Sequence, residues 1–100
     1  MTYKLEFNSN ALQEWHKLDS TIKLQLKKVL QKRLQNPHLP SAKLHGDLKN
    51  AYKIKLKKFG YRLVYLVEDD KMIVLVLAVG KREKSIAYNL AIKRLQPKLG

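Results

Sequence analysis

One hundred residues are enough for one domain with a single modest core, because a chain of this size buries roughly 60–65% of its unfolded surface. The 21 Lys and Arg against 8 Asp and Glu leave a net charge of +13, which says nothing about fold but makes a polyanion, nucleic acid first, the expected partner. The lack of Cys excludes disulfides, thiolate metal sites and a cysteine nucleophile, and Lys4 and Glu6 interrupt the N-terminal stretch too early for a signal peptide or membrane span, so a soluble chain compatible with the cytoplasm and without a membrane partner is expected.

Residues 2–7 alternate, with Tyr3, Leu5 and Phe7 on one face, and predict a half-buried strand. Asn8, Ser9 and Asn10 offer caps for a two-turn helix carrying Ala11, Leu12, Trp15 and Leu18. Asp19 and Ser20 can cap a longer one, in which Ile22, Leu26, Val29, Leu30 and Leu34 form the apolar stripe and Lys23, Lys27, Lys28, Lys32 and Arg33 fill much of the remainder. Asn36-Pro37 and Leu39-Pro40 end that helix and open a linker running to Gly46 and on to Asn50.

The period then changes. Tyr52, Ile54 and Leu56 alternate with Lys53, Lys55 and Lys57, Lys58-Phe59-Gly60 punctuates a hairpin, and Tyr61–Val67 is apolar on both faces except at Arg62. A turn at residues 68–71 leads to a strand over Met72–Val79, ended by Gly80. Lys81 to Ser85 lead into a last helix bearing Ile86, Tyr88, Leu90, Ala91, Ile92 and Leu95, closed by Pro97. The predicted fold class is α+β: a mainly antiparallel four-stranded sheet, two N-terminal helices and a C-terminal helix, with the helices on one side of the sheet.

Lys53, Lys55, Lys57, Lys58 and Arg62 fall within ten residues that contain no acid, and alternation places the first three on one sheet face. That face is suited to phosphate, although alternate lysines also serve as an ordinary solvated or edge-protecting face. Arg62 needs an anion, because an unpaired guanidinium in an apolar strand costs several kcal/mol, and either an acid of this chain or an external phosphate would serve. Lys81 and Arg82 follow an apolar strand, a common functional position and equally a common solvated exit.

His16, His38 and His45 are scattered; His16 and His38 read as helix-surface and turn residues, while His45 could reach a ligand near the lysine strand or serve only its loop. HExxH, metal-spacing His sets, GxGxxG and GxxxxGK[ST] are absent, so neither a metal nor a cofactor is implied. RNA can nevertheless be cut without metal when its own 2′-hydroxyl attacks the neighbouring phosphate. A lysine crowded by cations could take the proton, and arginines could steady the extra phosphate charge. Such a group set is a weak catalyst unless something else holds the RNA in line.

The strings ALQEWHKL (11–18), QLKK (25–28), AKLHG (42–46), YKIKL (52–56), GYRLVY (60–65) and VGKRE (79–83), followed by Tyr88, carry a resemblance over nearly the whole chain to the RelE toxin family, the ribosome-dependent mRNA interferases of bacterial toxin-antitoxin modules. The resemblance implies a compact RelE-like ribonuclease fold and cleavage of mRNA in the ribosomal A site. It implies Lys53 and Lys55 at the attacking hydroxyl and phosphate, with Lys53 as general base, Arg62 on the phosphorane, Arg82 at the leaving oxygen, and Tyr88 stacked on or orienting the base, unless it packs as core beside Ala91 and Ile92. His45, Lys57, Lys58 and Lys81 become candidate RNA contacts. His45 replaces a family arginine, and the Gly46–Tyr52 segment looks one residue longer than the family's. A cognate RelB-like antitoxin covering the basic face and ribosomal RNA are the further implied partners; related toxins that poison gyrase generally lack the full basic-plus-tyrosine set.

Overall fold

The computed structural model describes residues 2–44, 50–83 and 86–95. The elements run β1 (Lys4–Phe7), α1 (Ser9–His16), α2 (Ser20–Gln35), a 3-10 turn (Pro40–Ala42), β2 (Ala51–Leu56), β3 (Tyr61–Glu68), β4 (Ile73–Lys81) and α3 (Ile86–Leu95). His45, Gly46, the extra residue expected before Tyr52, Lys84-Ser85 and the Pro97 helix stop lie outside the described residues.

Local chemistry starts both N-terminal helices. The Asn8 Oδ1 accepts from the amides of Asn10 at 2.9 Å and Ala11 at 3.4 Å, and the Asp19 Oδ1 accepts from the Thr21 amide. Each bond satisfies amide donors that a first helical turn otherwise leaves unpaired.

The sheet order is β1-β4-β3-β2. β2/β3 and β3/β4 are antiparallel, whereas β1 lies parallel to β4 with Leu5 opposite Val74, so the sheet is mixed. β4 runs through Gly80 to Lys81, which corrects the expectation that Gly80 ends the sheet.

The helices occupy both faces of the sheet, not one. Ala11, Trp15, Ile22, Leu26 and Leu30 of α1 and α2 pack on Tyr52, Ile54, Leu63, Tyr65, Val67, Val74 and Val76. Ala87 and Ala91 of α3 pack on Ala51, Val64, Leu77 and Ala78 of the opposite face. The physical reason is in β3 and β4, whose side chains are apolar in both directions and would expose a greasy face to water under a one-sided arrangement.

The β3/β4 register shifts between Val64 and Tyr65, so that Val64 faces Ala78 while Tyr65 faces Val76. Leu77 is the extra residue of a bulge. As a result Leu77 and Ala78 both belong to the α3 side, and the phase of β4 is reversed from there on.

Two polar clusters fasten the layers. Arg94 of α3 reaches around the β4 margin to Glu14 of α1 through bonds of 2.8 and 3.1 Å, and also donates to the Leu77 carbonyl, while Glu14 accepts from the Val79 amide. With side chains only 12% and 25% exposed, this pair is expensive to break from one side. Glu14→Ala is expected to lower unfolding stability in urea by about 2–3 kcal/mol, because it leaves a guanidinium and a strand amide poorly paired. A change below about 0.5 kcal/mol would show that the clasp is not structural.

In the second cluster, His38 binds the Tyr52 hydroxyl at 2.8 Å and Asp69 at 2.7 Å, and the Tyr3 hydroxyl donates to the same carboxylate. Those two bonds, the one to His38 first, hold the Asp69 carboxyl below the ordinary aspartate range. Tyr52 stacks on Tyr65, whose hydroxyl donates to the Pro37 carbonyl and accepts from Arg33.

Candidate nucleic-acid interface

The site is assembled by the β2–β3 hairpin, the end of β4 and the start of α3. Residues 57–60 turn the hairpin, with the Phe59 and Gly60 amides bonded to the Leu56 carbonyl and Gly60 at φ +70°, a left-handed conformation that glycine adopts without a Cβ penalty. The Arg82 amide donates to the Gly60 carbonyl at 2.9 Å, which pins the residue after β4 against the hairpin turn.

Across the sheet, Lys55 is paired with Arg62 and Arg62 with Gly80. These positions share a face with Lys53 and with the α3 core, and the β4 bulge puts the end of that strand in phase with them. Lys55, Lys57, Arg62 and Arg82 accordingly line one cavity of about 130 Å3, together with Leu56 and Tyr61. Lys57 lies in the turn, one residue past β2, so strand alternation does not govern it; it reaches the cavity from the hairpin end.

No carboxylate among the described residues pairs with these charges. Among the described residues the ion pairs are His38–Asp69 and Arg94–Glu14, both elsewhere. Arg62 instead lies over the Tyr88 ring, with Cζ 4.9 Å from the centroid. Tyr88 is half-buried against the α3 core, and its hydroxyl oxygen is buried without a hydrogen-bond partner. Burial raises the phenol pKa and Arg62 partly offsets that rise, so the group keeps its proton and can donate.

Lys55 is the crowded lysine. The Lys53 charge first, then loss of solvent, Arg62, contact with Lys53 and Lys57, all draw its pKa below the ordinary lysine value. Among the described residues there is no group of three His, Asp or Glu side chains placed to hold a metal ion.

Arg33 has a part that its place in a basic helix did not suggest. Its Nη1 donates to the Lys53 carbonyl at 3.1 Å and to the Tyr65 hydroxyl at 2.9 Å, fixing the backbone from which Lys53 and Lys55 project. Only its position in the last turn of a helix preceding a linker hinted at this. His38 reads in the sequence as a plain turn residue, and the structure makes it the centre of the Tyr3–Asp69–Tyr52 cluster on the other face.

A second cavity of about 390 Å3 adjoins the first and is lined by Lys57, Lys58, Phe59, Gly60, Lys81, Arg82 and Glu83. Lys58, Lys81 and Arg82 are exposed there.

Comparison with known proteins shows the family and the fold. The family described as the ParE toxin of the type II toxin-antitoxin system parDE matches residues 5–86. The mRNA interferase toxin RelE of Escherichia coli K12 is 50% identical over 95 residues, covering 95% of this chain and 99% of that protein. The structure of a doubly arginine-substituted E. coli RelE in the free state superposes with a TM-score of 0.88 at 49% identity, covering 96% of this chain and 100% of the other. The toxin of the intact E. coli RelBE toxin-antitoxin complex gives 0.78 at 50% identity, covering 82% and 99% of the two chains.

Proposed function

The chain belongs to the RelE/ParE superfamily of type II toxin-antitoxin toxins, and from that premise we propose that it is a translation-inhibiting endoribonuclease that cleaves mRNA in the ribosomal A site. The observation that carries the reading is the convergence of Lys55, Arg62 and Arg82 on one small cavity with no carboxylate among its described lining residues.

In the proposed reaction the 2′-hydroxyl attacks the adjacent phosphate. The O–P bond formed there closes a 2′,3′-cyclic phosphate as the bond to the 5′-oxygen breaks. The family resemblance implies Lys53 as the base. The crowding of charge falls on Lys55, so we assign proton removal to Lys55 and give Lys53 the task of lowering its pKa. Arg62, with no acid paired to it among the described residues, steadies the phosphorane oxygens, and the Tyr88 hydroxyl supplies a further donor. Arg82 stabilises charge on the departing 5′-oxygen, which takes up a proton from solvent water. Arginine releases a proton poorly near neutrality, so this set needs a substrate already held in line, a role for the ribosome.

The +13 charge supports ribosomal RNA as a docking partner and a cognate RelB-like antitoxin as the inhibitor that masks the field. Primer extension on programmed ribosomes tests the reading. Codon-specific ends are expected with ribosomes and none with naked mRNA. RNA binding without new ends would make the protein a blocking module, and intact mRNA with broken DNA would assign it a gyrase-directed activity.

A further inference from the structure

The larger cavity is not explained by the chemistry of the smaller one. The two share Lys57 and Arg82, so they are continuous, yet Lys55 and Arg62 belong only to the first, while Lys58, Phe59, Lys81 and Glu83 belong only to the second. With attack assigned to Lys55, the phosphate to Arg62 and the departing oxygen to Arg82, the second cavity adjoins the leaving side through Arg82 and does not include the residues of the attacking side.

We propose that this second cavity, walled by the hairpin turn and the end of β4, binds the nucleotide on the 3′ side of the cleaved linkage and contributes to codon preference. The inference rests on the ribonuclease reading above, in which Arg82 faces the departing 5′-oxygen. That oxygen belongs to the downstream nucleotide, so the cavity past Arg82 is where its sugar and base must go.

The lining suits such an occupant. About 390 Å3 lies within the range of small-ligand pockets. Phe59 is half-buried, anchored on the α1/α2 core but still lining the cavity, so it offers a fixed aromatic surface to a base. Lys58 and Lys81 supply charge for the next phosphate. Glu83 is the odd member, an exposed acid among cations. A carboxylate accepts hydrogen bonds and repels phosphate, so its task here is with a base edge that carries an amino group. Adenine, cytosine and guanine have one, whereas uracil offers only its ring N3–H.

The test uses the full chain on ribosomes carrying A-site codons that differ only at the nucleotide 3′ of the cut. Wild type is expected to cleave the uracil codon most slowly. Glu83→Gln, at an exposed position that should not affect folding, is expected to narrow the spread between uracil and the amino-bearing bases. Phe59→Leu keeps the apolar anchor while removing the aromatic face, and is expected to slow all four codons roughly fivefold or more. Equal wild-type rates on all four codons, with no change in either variant, would overturn the subsite while leaving the ribonuclease reading intact. Losses that are the same for every codon in both variants and that vanish at saturating toxin would assign the cavity to ribosomal RNA, and would equally overturn it. No cleavage by wild type would fell the ribonuclease reading itself, and this inference with it.

Discussion

Arg62→Ala is expected to slow single-turnover cleavage on programmed ribosomes by roughly 100- to 1000-fold, the range found when one preorganised donor to a developing oxyanion is removed. The size follows from its surroundings. Arg62 is half-buried, lines the cavity, and has no carboxylate among the described residues to share its charge with. Among the described residues its side chain meets the Tyr88 ring, a cation–π interaction worth about 0.5–2 kcal/mol, which leaves its hydrogen-bonding edges free for phosphate. Unfolding measurements should therefore show a modest change beside the large kinetic one. Arg62→Lys should recover only part of the rate, since a point charge cannot reproduce a two-pronged contact to two phosphate oxygens. A rate within a few-fold of wild type for Arg62→Ala, or a stability loss large enough to explain the whole effect, would remove the assigned role.

Lys55→Ala should cost about 100- to 10000-fold, the contribution of a positioned general base, and should remove the rise of rate with pH. The sign is fixed by chemistry. A lysine takes up a proton only when neutral, so the rate climbs as pH rises and levels off at the lysine pKa. The cationic neighbours lower that pKa, which brings the plateau to lower pH than an isolated lysine would give. Lys53→Ala deletes the largest of those influences, so its plateau should move to higher pH and its rate near neutrality should fall, while its rate in strong alkali approaches that of wild type. If Lys55→Ala kept the wild-type pH profile and only bound ribosomes more weakly, the base would have to be another group.

Much of the architecture was legible because period and punctuation are local. The change from helical to alternating spacing at Tyr52, the Lys58-Phe59-Gly60 turn and the Asn8 and Asp19 caps all correspond to elements of the structure. The two-sided sheet has a signal in the sequence: Tyr61–Val67, apart from Arg62, and Met72–Val79 are apolar in both directions. The bulge at Leu77 left no trace, since a continuous apolar run has no phase to break, and the placement of the β4 end depends on it. Register was equally hidden. Sequence could suggest that Arg62 comes near Lys55, but only the pairing sets them directly opposite. The Arg33 bond to the Lys53 carbonyl and the His38 cluster join residues 20, 31 and 14 positions apart, beyond any local pattern.

β2 is the outermost strand of its side of the sheet, and its first half is covered: Leu44 donates to Ala51, Lys43 bridges to Tyr52, and Arg33 caps the Lys53 carbonyl. From Ile54 onward none of these cover it, and that is where Lys55, Lys57 and Lys58 stand. Ammonium groups at a sheet border repel another chain seeking to add a strand there. The same lysines thus give this small protein its colloidal manners, and a toxin disarmed by neutralising them for handling would surrender its protection against clumping along with its bite.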